Sequence, residues 1–166
     1  MQRTGGETCR RPPAAFLLAQ VGAHAAAQFG ARLVELKLAP AQAGMLRILG
    51  SRPAITQQAL ANALGMVPSR LVALVDELEA RGLVERRANP QDRRSHAMHL
   101  SEKGRSTLQA VGRIAREHQQ ALLAALSEDE QLQLTSLLQR IADKEGLTPG
   151  VHPGYARLGE KPPRRR

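Results

Sequence analysis

Apolar side chains repeat with helical spacing over most of the chain, and the clearest repeat lies in residues 67–81. Its apolar positions follow the order i, i+3, i+4 and i+7 and are Leu71, Leu74, Val75 and Leu78. Such spacing gives a helix one buried stripe and one exposed face. The residues expected on the exposed face are Ser69, Arg70, Ala73 and Asp76. Pro68 suits the first turn of this helix and Gly82 its C-terminal cap.

A shorter helix precedes this one. Thr56 is suited to cap a helix over residues 57–64, and Leu64-Gly65-Met66 forms a tight turn between the two helices. Gln57 and Gln58 lie in the first turn of the shorter helix, where a side chain could reach a phosphate group. A polar first turn is equally natural for any surface helix, so both interpretations stay open.

A basic hairpin follows the longer helix. Its strands are expected at Leu83 to Ala88 and Ser95 to Leu100, joined by residues 89–94, because Asn-Pro followed by Asp favours a turn. Four arginines mark the hairpin: Arg86, Arg87, Arg93 and Arg94. They could form only a solvated surface. A helix beside an arginine-rich hairpin, however, suits insertion into a DNA major groove while the hairpin follows the backbone. The pattern therefore predicts a winged helix-turn-helix over residues 40–100.

Further helical patterns precede this pair of helices. Residues 13–37 are rich in alanine and read as one helix, which Leu38-Ala39-Pro40 breaks. Pro40 suits the first turn of another helix over residues 40–49, which is expected to stop at Gly50.

Two more helices are expected after the hairpin. Residues 102–125, capped by Ser101, carry apolar side chains close to a 3.5-residue repeat, which usually indicates a partner helix. Ser127-Glu128-Asp129-Glu130 is a capping box for a last helix. That helix is expected to bury Leu134, Leu137, Leu138 and Ile141. The simplest arrangement is an intertwined homodimer, with dimerisation helices over 13–37 and 102–143, that binds a palindromic DNA site.

Composition and charge agree with this interpretation. A chain of 166 residues suits one domain, expected over residues 13–145 between a disordered arm (1–12) and a flexible basic tail (146–166). Lys and Arg total 24 against 15 Asp and Glu, a formal net charge of +9 that is typical of nucleic-acid-binding proteins. Because both termini are basic, the domain itself is only mildly basic. Its positive charge is concentrated in the hairpin.

Several function classes are disfavoured by the composition. One cysteine argues against a disulfide framework, and an aromatic content of 2% argues against single-strand recognition by base stacking. No apolar run reaches membrane-spanning length and the N-terminus lacks a signal-peptide pattern, so we expect a cytoplasmic protein. A Gly-rich phosphate loop and a nucleophile–base motif are both lacking, so the sequence predicts neither an enzyme nor a cofactor. His96 and His99 fall on opposite faces of one strand, so no metal site is expected either.

Three stretches carry a resemblance to a known family. Leu38-Ala39-Pro40-Ala41-Gln42 resembles the family's L-T-x-x-Q entry to its second helix, and residues 71–86 match its recognition helix and first wing strand nearly throughout. Asp92-Arg93-Arg94 followed by Leu100-Ser101-Glu102-Lys103-Gly104 resembles its wing tip and the start of its dimer helix. On these motifs the chain resembles, over about residues 13–143, the MarR (multiple antibiotic resistance regulator) family.

The resemblance implies a mainly α fold with a small β-wing, that is, a winged helix-turn-helix domain plus terminal dimerisation helices. It also implies a dimer that represses by binding double-stranded operator DNA and releases it when a small aromatic, phenolic or oxidising effector binds. Arg94 matches the wing arginine that enters the minor groove, and Asp92 the acid that orients it. Ala73 and Val72 depart from the family's usual residues, which affects the operator sequence rather than the mode of binding.

Three side chains are candidates for effector response. His24 and Gln28, one turn apart on the first helix, could line a pocket between the dimer helices and the winged unit, or simply form a polar surface pair. Cys9 could sense oxidants, but it lies in the N-terminal arm and the only tyrosine is Tyr155 in the tail. The alternative to an operator-specific regulator is a basic architectural or partner-binding protein that uses the same fold without sequence preference.

Overall fold

The structure is a computed structural model that describes residues 12–89, 92–152 and 155, with backbone only for residues 89 and 92–95. The described chain is mainly helical and carries one small antiparallel sheet. Its elements, in chain order, are α1 (Ala14–Leu33), α2 (Pro40–Ser51), β1 (Ile55–Thr56), α3 (Gln57–Leu64), α4 (Pro68–Ala80), β2 (Val84–Asn89), β3 (Asp92–Leu100), α5 (Glu102–Leu122) and α6 (Glu128–Lys144).

The predicted end of the first helix at about residue 37 is wrong, because the α-helix stops four residues earlier. The first helix ends at Leu33, and Val34–Leu36 tighten into a 3-10 turn before Lys37 adopts a left-handed conformation with φ of 53°. The predicted stop of α2 at Gly50 is wrong, because the helix continues to Ser51. Gly50 serves packing instead: a Cβ there would lie 2.4 Å from a Leu108 methyl of α5.

The helix-turn-helix forms as predicted from its caps. The Thr56 hydroxyl accepts a hydrogen bond from the Ala59 N–H at 3.2 Å and so begins α3. Gly65 turns the chain with φ of 62°, a conformation that costs glycine little. Helix α4 then starts at Pro68 and ends at Ala80. Its apolar stripe lies in the core, since Leu71, Val75 and Leu78 are fully buried and Leu74 is half-buried.

The sheet has the strand order β1-β3-β2 and closes one side of the core. Strand β1 is too short for a periodicity signal and was missed from the sequence; it pairs Ile55 with Met98. The predicted six-residue loop of the hairpin is wrong. Strand β3 begins at Asp92 rather than Ser95, and Asn89 pairs with Asp92. Strand β3 is therefore three residues longer than predicted, whereas β2 keeps its predicted length of six residues and is shifted by one.

The last two helices begin as predicted but bury less than predicted. Ser101 caps α5 through the Gly104 N–H, and the Ser127 and Glu130 side chains form the expected capping box of α6. The expectation that α6 buries its apolar residues is wrong for the single chain. Leu134 is only half-buried, and Leu137, Leu138 and Ile141 are 45%, 37% and 48% exposed, since the described chain leaves this face of α6 uncovered.

Part of the expected flexible tail packs on α2. Val151 and Tyr155 contact the core cluster, and the Tyr155 ring lies against Gly44 so closely that a Cβ there would be 2.7 Å from it. Burial raises the pKa of the Tyr155 phenol, partly offset by the positive charge of Arg47. Residues 1–11 and 156–166, which include Cys9, lie outside the described residues.

Candidate nucleic-acid interface

The exposed face of the helix-turn-helix is the N-terminal half of α4. Ser69 is exposed, Arg70 is half-buried, and Ala73 is exposed one turn further on. Val67 and Val72 are 56% and 38% exposed, so the surface they share with Ser69 is open to a large partner. This half of α4 contains no acidic residue.

The first turn of α3 carries the two predicted glutamines. Gln57 is half-buried and Gln58 is exposed. The Gln58 amide donates to the Asn62 side chain at 3.2 Å, one turn along the same helix. Both glutamines therefore lie at the N-terminal end of α3, where unpaired backbone N–H groups favour an anion.

One buried side-chain amide, that of Gln42, links helix α2 to helix α4. Gln42 is only 7% exposed, and its side-chain nitrogen donates to the Glu77 carboxylate at 2.8 Å. Its side-chain oxygen accepts from the Ala39 N–H at 2.9 Å, so both ends of the amide are used. A buried polar group that is satisfied at both ends fixes the relative position of the two helices.

The side chain of Arg86 links strand β2 to helix α4. The Arg86 guanidinium binds the carboxylates of Asp76 and Glu79, which lie one turn apart on α4. The Arg86 backbone N–H also donates to Glu79, at 3.4 Å. The hydrogen bond that Arg86 donates to Asp76 is the main cause that raises the pKa of Arg86, which burial partly opposes. Asp76, expected on the free exposed face of α4, is in fact paired with the wing.

The remaining predicted wing residues differ in how they are placed. Arg87 is 57% exposed, and its guanidinium pairs with the carboxylate of Glu85 at 2.8 Å, two residues back on the same strand. The backbones of Asp92, Arg93 and Arg94 begin β3 at the far end of the hairpin, and their side chains lie outside what the structure describes.

The base of the wing is fastened to the first turn of α5. The Ser101 hydroxyl donates to the Gly82 carbonyl at 2.6 Å, and Lys103 donates to the Arg81 carbonyl at 2.8 Å. Gly104 lies so near the Leu83 carbonyl that a Cβ would be 2.0 Å from the oxygen. These contacts join the start of α5 directly to the point where α4 ends and β2 begins.

The candidate effector residues lie on α1, and both are exposed in the single chain. His24 is near enough to His118 of α5 for its charge to lower the pKa of that imidazole, although burial is the main cause and Arg32 the second. The His118 ring lies 5.6 Å from the Phe29 ring, and its buried Nδ1 has no hydrogen-bond partner among the described residues.

A separate cavity of about 340 Å³ lies between the end of α2, the end of β3 and the start of α5. His24 and Gln28 are not among its lining residues, which are Leu49, Gly50, Pro53, His99, Leu100, Arg105, Leu108 and Gln109.

The described residues contain no group of three His, Cys, Asp or Glu side chains placed to hold a metal ion. Within that part of the chain no single helix is long and apolar enough to cross a membrane. Helices α3 and α4 taken together would be long and apolar enough, but the two are bent by 109° at the turn between them.

The residues that position α4 were not found from the sequence. Gln42, Glu77 and Glu79 each look like an ordinary surface residue when read along the chain. The i, i+3 spacing of Asp76 and Glu79 shows that they share a helix face. It does not show that this face meets β2.

Comparison with known proteins gives a consistent result. The sequence profile described as "MarR family" matches residues 36–95. The chain is 33% identical over 110 residues, 66% of each protein, to the putative transcriptional regulatory protein for the hcr operon of Thauera aromatica. It is 30% identical over 93 residues, 56% of this chain and 65% of the relative, to the transcriptional regulator BilQ of Clostridium symbiosum. The chain thus spans just under two thirds of the length of these curated relatives.

Solved structures give wider coverage. The transcriptional repressor CouR bound to a 23-mer DNA duplex has a TM-score of 0.70 and 34% identity, over 78% of this chain and 92% of that protein. The apo form of MarR from E. coli has a TM-score of 0.70 and 25% identity, over 78% of this chain and 96% of that protein.

Proposed function

The chain belongs to the MarR family of winged helix-turn-helix transcriptional regulators, and we propose that it binds double-stranded operator DNA as a homodimer and represses transcription. We further propose that a small aromatic or phenolic effector releases it from DNA. Similarity to CouR, whose structure contains a DNA duplex, supports the first proposal.

The observation that carries the proposal is the distribution of charge on α4. Its three acids are turned to the protein's own groups: Glu77 to Gln42, and Asp76 and Glu79 to Arg86. The N-terminal half contains no acid; its Ser69 is exposed and its Arg70 is half-buried. A surface helix with this arrangement can approach phosphate groups and base edges in a major groove without carboxylate repulsion.

The wing supplies the flanking contacts in this proposal. Arg87 is exposed on β2, and Arg93 and Arg94 follow at the start of β3. As the family resemblance implies, Arg94 would enter the minor groove and Asp92 would orient it. Gln57 and Gln58 would bind a phosphate group at the N-terminal end of α3.

Exposed apolar surface on the outer helices supports the homodimer. Two helices carry it, α1 through Phe16, Leu17, Leu18 and Val21, and α6 through Leu132, Leu137, Leu138 and Ile141. Several large apolar side chains exposed on one helix favour an interaction site there. A second copy of the chain would cover both helices and place two α4 helices on one side of the dimer.

The effector proposal rests on α1. His24 and Gln28 lie on the exposed face of the helix that packs on α5, and α5 is fastened to the wing base through Ser101. A ligand wedged at α1 could therefore shift α5 and misplace the recognition helices. Coupling of this kind typically amounts to about 1–3 kcal/mol.

Competition binding tests the proposal. The full-length protein should prefer the DNA upstream of its own gene to random duplex by about 10³-fold or more at physiological salt. Equal affinity for both would contradict the proposal and favour an architectural role for the same fold. Candidate phenols should lower the affinity, and His24→Ala should change that response without changing binding in their absence.

A further inference from the structure

Of the two hairpin arginines whose side chains the structure describes, Arg86 and Arg87, Arg86 is placed less like a DNA contact. Its guanidinium is shared between Asp76 and Glu79, and its side chain is 23% exposed against 57% for Arg87. We propose that Arg86 is a positioning residue, which sets the angle between the wing and the recognition helix and does not itself bind phosphate. This inference rests on the operator binding proposed above.

The first argument is geometric. Glu79 accepts hydrogen bonds from both the backbone N–H and the guanidinium of Arg86, and Asp76 accepts from the other side of the guanidinium. Strand β2 is thereby tied to two successive turns of α4, at positions 76 and 79. Arginine is suited to this role because its planar guanidinium presents several donors in fixed directions.

The second argument concerns charge. Arg86 carries one positive charge between two carboxylates, so the three side chains together are net negative. A phosphate group could recruit Arg86 only by breaking these hydrogen bonds, which would leave Asp76 and Glu79 facing the DNA unpaired. Loss of a charge-assisted hydrogen bond and repulsion between like charges would both oppose that exchange.

The consequence reaches the wing tip. The segment of β2 after Arg86 leads to Arg87 and then to Arg93 and Arg94 at the start of β3. Because the strand is fixed to α4 at Arg86, a small change of angle there moves the far end of the hairpin relative to Ser69 and Arg70. Simultaneous contact with the major and minor grooves depends on that distance.

Salt dependence separates a positioning residue from a phosphate contact. The plot of log K against log salt has a negative slope, and each lost phosphate contact makes that slope less steep by about one. Affinity for the upstream DNA would be measured between 50 and 200 mM KCl for wild type, Arg86→Gln, Arg86→Lys and Arg87→Gln. Arg86→Gln and Arg86→Lys should each weaken binding about tenfold at every salt concentration, as expected for loss of a coupled pair. Arg87→Gln is the matched control and should make the salt slope less steep by about one per chain.

Lysine decides the question even if Arg86→Gln folds poorly. It keeps the charge but lacks the forked geometry, so a phosphate contact would survive in Arg86→Lys and a tie to two carboxylates would not. A DNA affinity of Arg86→Lys close to that of wild type would overturn the inference. So would a salt slope that is less steep by about one in Arg86→Gln.

A readout without DNA keeps the two proposals separable. Amide hydrogen exchange of residues 84–89 should speed up in Arg86→Gln and stay near wild type in Arg87→Gln. If wild type does not prefer its upstream DNA, the proposed function fails, and exchange alone then decides whether Arg86 holds β2 on α4. Unchanged exchange in Arg86→Gln would overturn the tie itself.

Discussion

His118 shows at the scale of one residue how the helices around the winged unit respond to pH. Its ring packs near Phe29, and its buried Nδ1 finds no partner among the described residues. Burial, then the charges of Arg32 and His24, lower the pKa of His118 below its ordinary value. The folded chain therefore binds a proton at this site less readily than the unfolded chain does.

The sign of the pH dependence follows from linkage. Because the folded pKa lies below the unfolded value near 6.5, the contribution of His118 to the free energy of unfolding is retained above pH 6.5 and lost as pH falls through the folded pKa. Urea unfolding at fixed protein concentration should show this loss between pH 7.5 and 5.5. The loss should be smaller in His118→Leu. Equal pH profiles for wild type and His118→Leu would contradict the assignment.

Single residues also show where sequence reasoning stops. The arginines of the hairpin can be counted from the sequence, and their number indicates a polyanionic partner. Which of them is tied to the recognition helix cannot be read there, because Arg86 and Arg87 are neighbours in the chain, yet Arg86 pairs with the acids of α4 and Arg87 with Glu85 of its own strand. The neutralising partners lie 7 and 10 residues away. Their contact is set by how β2 packs on α4.

At the scale of elements, local signals predict where helices begin better than where they end. Thr56, Ser101 and Ser127 each cap a helix as their side chains indicate. Gly50 reads as a stop signal but lies inside α2, because Leu108 of a distant helix needs the space. Strand β1 has two residues and exists only through its pairing with β3. Tertiary contacts decide both cases, and no local pattern reports them.

The junction between the wing base and α5 gives a sharp test at this scale. A Cβ at Gly104 would lie 2.0 Å from the Leu83 backbone oxygen, which cannot move without shifting β2. Gly104→Ala should lower the free energy of unfolding by about 3 kcal/mol, the upper part of the usual range for overpacking. Urea denaturation provides the measurement.

Gly112, on the same helix, is the matched control. A Cβ there would have only an arginine side-chain atom near it, Nη1 of Arg116 at 3.6 Å. Gly112→Ala should be neutral or stabilise the helix by up to about 1 kcal/mol, since alanine has the higher helix propensity. Equal destabilisation by both substitutions would show that alanine destabilises α5 at either position and that the Leu83 contact is not responsible.

At the scale of the whole molecule, a single chain does not account for the burial that the sequence predicts for its outer helices. The 3.5-like repeat of α5 and the apolar residues of α6 predict burial, yet Leu137, Leu138 and Ile141 remain exposed in one copy. In the proposed homodimer, the second chain would cover these residues, which is the burial that the sequence pattern indicates. Contact of Tyr155 with α2, by contrast, has no periodic signal, because it depends on one ring and on the missing side chain of Gly44.

In the proposed complex, two copies of the chain place their α4 helices on one twofold-symmetric site. Half-sites read by such a dimer lie about one helical turn apart, and about five inserted base pairs turn one of them to the opposite side of the duplex. Affinity would be measured for the operator and for the same duplex with that insertion between its half-sites, with sedimentation giving the number of chains bound. Two chains per operator, and a fall to the affinity for random DNA on insertion, are predicted. One chain per operator, or an affinity that the insertion leaves unchanged, would contradict the account.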